Sequence, residues 1–95
     1  KEMRGKPEEL LGDCSKILKE RGQQYGSADL VFRAIADQWT SHLHKDISSS
    51  SAALMMAQMK IARINQGISD QKVGKDTYAD AINYLALAWS LLKKS

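Results

Sequence analysis

Ninety-five residues of 10.6 kDa with a net charge of +3 are enough for one compact domain. Folding at this mass cuts an unfolded surface of about 15,400 Å² to about 5,500 Å². An apolar content of 43%, a charged content of 26% and a single proline exclude a disordered or collagen-like chain. No apolar run approaches the roughly 18 residues of a membrane span, and the stretch after Lys1 has no leader-like apolar segment with a small-residue cleavage site. The lone cysteine, Cys14, has no internal disulfide partner and points to a reducing, cytoplasmic setting. The 14 Lys and Arg are scattered along the chain, with Lys60/Arg63 and Lys93/Lys94 among the pairs. A nucleic-acid binder gathers such cations on one stripe, so DNA or RNA is not the expected partner.

Pro7 followed by Glu8 and Glu9 reads as a helix start, since proline needs no N–H in the first turn and carboxylates suit the positive end of the dipole. Leu10, Leu11, Cys14, Ile17 and Leu18 then recur at helical spacing, and Gly22 is the expected stop, giving a helix over 7–21. Ser27 is positioned to cap a second helix, 27–44, whose stripe is Val31, Phe32, Ile35, Ala36, Trp39 and Leu43. One of Ser48 to Ser51 caps a third, 49–66, with Ile47 outside it packing back and Gly67 stopping it. This helix is apolar around most of its circumference, more than short neighbours can cover. After a glycine-containing loop, Asp76 is the expected cap of a fourth helix, 76–93, with Tyr78, Ala81, Ile82, Leu85, Ala88, Trp89 and Leu92 as its stripe. Trp39 and Trp89 both read as core. No alternating strand pattern occurs. The expectation is an all-α domain, a four-helix bundle or two paired helical hairpins, completed as a homo-oligomer, a dimer or higher.

Lys60 and Arg63 are two cations on an otherwise apolar helix, close enough in sequence to share a face. Their charges need anions opposite. Carboxylates of the fourth helix would serve, and so would a ligand phosphate, the natural partner of an Arg fork and a Lys point charge. Asp76, Asp80 and Asn83 point to one side of the fourth helix. They either cap and pair with those cations or hold Mg²⁺ together with a substrate phosphate. The stretch Arg21-Gly22-Gln23-Gln24-Tyr25-Gly26-Ser27 offers positive φ at glycine and free N–H groups at a helix start, either as a structural turn or as part of an anion site. His42 and His44, two apart on a helix, face different ways. Cys14 lies on an apolar stripe and reads as a buried inert thiol.

Four blocks taken together, Arg21-Gly-Gln-Gln-Tyr-Gly26, Phe32-x-x-Ile35-Ala36-x-x-Trp39, Met55-Met56-x-x-Met59-Lys60-Ile61-Ala62-Arg63 and Asp76-x-Tyr78-x-Asp80 with Tyr84-Leu85-Ala86, resemble a family of small uncharacterised proteins of tailed phages and prophages. That resemblance implies a phage accessory protein acting inside the host cell. A fainter one is to the all-α nucleoside triphosphate pyrophosphatases of MazG type, matched by Lys60, Arg63, Asp80 and Tyr84; their paired glutamate helices have no counterpart here, where Glu occurs only at Glu2, Glu8, Glu9 and Glu20. The leading expectation is a non-enzymatic protein that binds a nucleotide or other phosphorylated small molecule and sequesters a host defence signal. In it Lys60 and Arg63 hold phosphate, Asp76 and Asp80 orient them or Mg²⁺, and Arg21, Tyr25, Gly26 and Tyr84 complete the site. The alternatives are a MazG-like pyrophosphohydrolase and a module that grips a host protein.

Overall fold

The protein is all-α in a computed structural model that describes residues 5–70 and 74–92; the side chains of Tyr25, Ile68, Ser69 and Asp70 also lie outside the description. Four helices follow one another: α1 (Pro7–Tyr25), α2 (Ala28–Leu43), α3 (Ser49–Asp70) and α4 (Lys75–Ser90). No strand occurs among the described residues, and no helix there is long and apolar enough to cross a membrane.

Pro7 opens α1 at its first turn with Glu8 and Glu9 beside it. Gly22 does not stop this helix. Glycine weakens a helix interior by about 1 kcal/mol relative to alanine but does not forbid it, and the chain leaves the helix only at Gly26, where φ is 84° and ψ is −157°, a region essentially restricted to glycine. Gly67 likewise lies inside α3. Ser27 occupies the cap position of α2 without donating or accepting a capping bond through its side chain. At α3 the cap is Ser48, whose Oγ accepts the Ser51 N–H at 3.0 Å. Ile47, just outside, packs on the core while its N–H donates to Thr40 Oγ1 at 2.8 Å, which fixes the α2–α3 corner. Gly74, not Asp76, takes the cap position of α4; Asp76 sits in the first turn, where its charge faces the positive end of the helix dipole. α4 ends at Ser90 with Leu91 as its cap, short of the expected end at Lys93, which itself lies outside the described residues.

α3 and α4 form the most extensive helix pair, with α2 packed on α3 and α1 packed on α4. Ser50 Oγ donates to Ala88 O at 2.7 Å and Lys60 meets Asp80, so α3 and α4 run antiparallel. Small residues make this contact: Ala52, Ala53, Ala57, Ala81 and Ala88 are all buried. Phe32 and Ala36 of α2 complete the core cluster, flanked by Ile35, Trp39, Met56, Tyr84 and Leu87. Trp39 thus packs on the core as expected, but Trp89 is 76% exposed. It follows Ala88 by one residue, and about 100° of helix rotation per residue carries its ring to the far side of α4.

Candidate functional site

Asp80, Asn83, Tyr84 and Leu87 of α4 recur at spacings of three and four, which puts them on one side of the helix. Because α1 lies on α4 and α2 lies on α3, the outer helices leave a cleft of about 430 Å³ over this side of α4, closed at one end by the α1–α2 connection. Its walls are mainly apolar: Leu18 from α1, Val31, Phe32 and Ile35 from α2, Met56 from α3, and Tyr84 and Leu87 from α4. Phe32 and Tyr84 pack edge to face, ring centroids 6.1 Å apart and planes at 88°, a favourable aromatic geometry that fixes the Tyr84 ring as a wall. A cavity of this size with a few convergent polar groups is the usual form of a small-molecule site.

Three polar side chains enter that apolar frame. Asp80 accepts from Lys60 Nζ through Oδ2 at 3.0 Å and pairs through Oδ1 with the half-exposed Arg21 at 3.5 Å. Side-chain exposures of 15% for Lys60 and 18% for Asp80 make this a partly desolvated ion pair. Two cations on one carboxylate leave the cluster with a surplus positive charge at the edge of the cleft. Asn83 is only 4% exposed, and neither its Oδ1 nor its Nδ2 has a hydrogen-bond partner. Leaving a buried polar group unpaired costs about 1–3 kcal/mol, so this amide is either a stored destabilisation or the contact point of something that enters the cleft.

The residues singled out in the sequence are therefore divided. Arg21, Gly26, Asp80 and Tyr84 line one cleft, and Lys60 joins them through Asp80. Arg63 is exposed and is not in the cleft wall; Asp76 is exposed in the first turn of α4 and is not in the wall either. The side chain of Tyr25 lies outside the described residues. Both oxygens of Asp80 are engaged by cations, and among the described residues no three His, Cys, Asp or Glu side chains gather as a metal set. Phe32, read from its spacing as a core residue, forms the cleft wall as well. Asn83, read as one of three oxygen ligands, stands instead as the unpaired amide of the cleft.

Away from the cleft, Lys75 pairs with Asp13 and ties α4 to α1. The hydrogen bond to Asp13, and the Asp13 charge, push the Lys75 ammonium above its ordinary pKa. Cys14 is buried and its Sγ donates to Ala79 O at 3.8 Å. Burial, followed by the Asp13 and Asp80 charges, raises its thiol pKa, the opposite of what a nucleophilic cysteine requires.

Compared with known proteins, no curated protein and no solved structure is significantly similar to the chain. Residues 9–92 match a domain of unknown function, DUF6378, a span that takes in every residue of the cleft and all four helices but for Pro7 and Glu8. The chain belongs to the DUF6378 family.

Proposed function

We propose that the protein binds a nucleotide or a related phosphorylated small molecule in this cleft, the base lying against Tyr84 and Phe32 and the phosphate against Arg21 and Lys60. The observation that carries this reading is Asn83, whose buried amide has no partner in the wall of an apolar cleft. A carboxamide offers one donor and one acceptor side by side, the complement of a ring edge such as the N6/N7 edge of adenine. Arg21 and Lys60 supply the Arg fork and the Lys point charge that phosphate favours. Asp80 holds both until an anion competes for them, and Arg21 takes the place that the sequence alone suggested for Arg63. Asp80 is the sole carboxylate among the residues of the wall, and it is held by cations, which suits binding without turnover. In the phage setting implied by the four sequence blocks, such a protein acts in the host cytoplasm by sequestering a nucleotide signal.

Thermal unfolding of the full chain with ATP, ADP-ribose and cyclic dinucleotides tests the reading. A ligand at one hundred times its Kd adds about 2.7 kcal/mol, a rise on the order of 10–20 °C for a domain of this size. Arg21→Ala with Lys60→Ala abolishes the rise. A flat response to the whole panel overturns the reading, and pyrophosphate release from a triphosphate would replace binding with hydrolysis.

A further inference from the structure

We infer that a second copy of this chain packs on the outer face of α4. Tyr78, Ile82, Leu85, Trp89 and Leu92 follow one another at intervals of four, three, four and three, the heptad spacing of a helix–helix seam. All but the half-buried Ile82 are exposed, Trp89 at 76%. The four within α4 occupy the side of the helix opposite Asn83, Tyr84 and Leu87, with Leu92 just past the helix end, and among the described residues no other helix lies on that side. No charged residue occurs between Ala81 and Leu92.

The same face continues onto α3. The register set by Ser50 with Ala88 and Lys60 with Asp80 puts Leu54 level with Leu85 and Ile61 level with Tyr78. Both are exposed, and Gln58 and Asn65, between and beyond them in that row, are uncharged. Isolated exposed apolar residues are ordinary on a protein surface; a contiguous uncharged row of them marks an interface. The chain exposes 7382 Å², whereas a compact monomer of its mass exposes about 5,500 Å². That excess is more than the roughly 800 Å² each partner loses in a standard interface.

Self-pairing follows from the order of the row. With a two-fold axis through Leu85, two antiparallel α4 helices set Leu85 against Leu85, bring Tyr78 level with Leu92 just past the helix end, and leave Ile82 and Trp89 as near neighbours one residue out of register, Ile82 opposite Ala88 and Trp89 opposite Ala81. Every member then has an apolar partner, and the bulkiest ring meets a smaller side chain. An isologous contact of this kind closes at two copies, and the antiparallel arrangement also sets the helix dipoles in opposition. A basic or acidic partner protein would find no charge here to recognise.

Sedimentation equilibrium of the full chain is expected to give twice 10.6 kDa at high micromolar concentration, and a monomer throughout that range overturns the inference. Leu85→Glu with Trp89→Glu weakens association by at least about 30-fold, the effect of losing one interface hot spot, with the wild-type far-UV spectrum retained; unchanged association overturns the inference. If the double variant loses its helical spectrum, Trp39→Phe decides, because its sole indole is Trp89. Emission that moves to longer wavelength as the protein is diluted supports the seam, and water-like emission at every concentration overturns it.

Discussion

Lys60 and Asp80 meet across the α3–α4 hairpin at 3.0 Å, each mostly withdrawn from solvent, and Arg21 reaches the other oxygen of the same carboxylate from α1. One acidic side chain thus connects three helices. Removing it leaves Lys60 without a partner in a partly desolvated position, whereas removing the lysine leaves Asp80 with Arg21. Asp80→Ala is therefore expected to cost about 1–3 kcal/mol and Lys60→Met about 1 kcal/mol or less, because methionine keeps the buried stem and the residual charge retains a partner. Combining Lys60→Met with Asp80→Ala recovers part of the loss, because no lysine charge is then left without a partner. Urea unfolding of the four proteins as a double-mutant cycle checks the order; equal losses for the two single variants contradict it.

Asn83 holds a free energy that an apolar side chain of similar size would recover. Asn83→Leu is expected to stabilise the unliganded protein by about 1–3 kcal/mol, with Tm rising by about 4–8 °C per kcal/mol, while removing the ligand response described above. A calorimetric scan with and without nucleotide separates the two effects. A less stable Asn83→Leu variant would mean that the amide is not unpaired.

Gly22 and Gly26 stand four residues apart with opposite demands. A methyl group at Gly22 meets nothing within 4 Å and the backbone there is helical, so Gly22→Ala is expected to gain about 0.8–1.0 kcal/mol. At Gly26 space is also open but φ is positive, and Gly26→Ala is expected to lose about 1–3 kcal/mol. Chemical denaturation of the two variants at neutral pH reads the difference directly.

The raised thiol pKa of Cys14 and the raised ammonium pKa of Lys75 act in the same direction. Each group holds its proton more firmly folded than unfolded, so its contribution is complete below the unfolded pKa and is lost as pH rises through the folded one. The urea midpoint is expected to be flat to about pH 8, to begin falling above about 8.5 as the unfolded thiol ionises, and to fall further above about 10.4 as Lys75 of the unfolded chain loses its proton. Cys14→Ala removes the first fall and leaves the second.

Much of this arrangement was legible from spacing. The four helices, the Ile47 corner and the opposition of Lys60 to Asp80 follow from periodicity and capping chemistry. Arg63 shows where such reading stops. Residues three apart differ by about 60° around a helix, and that rotation takes Arg63 off the side of α3 that meets α4 while Lys60 remains on it. Arg21 could be marked as part of an unusual turn, but its partner lies 59 positions away in the sequence, a distance bridged only when α1 lies down on α4. Gly22 and Gly67 resembled helix stops because glycine permits an exit; it does not compel one. Trp89 reads as core from its spacing because periodicity detects an apolar stripe without saying how many a helix has, and α4 has two.

The hairpin at the centre of the protein is lined by alanines, with Ala52, Ala53 and Ala57 fully buried. Two helices brought together over methyl groups leave no slack for a longer side chain, and added methylenes in a filled interior cost about 1–3 kcal/mol each time they force a neighbour aside. Mutational tolerance along this chain consequently runs against bulk. The positions most sensitive to replacement are among the smallest residues, where selection sets an upper limit on size, whereas several of the largest apolar side chains lie where the isolated fold would accept almost anything.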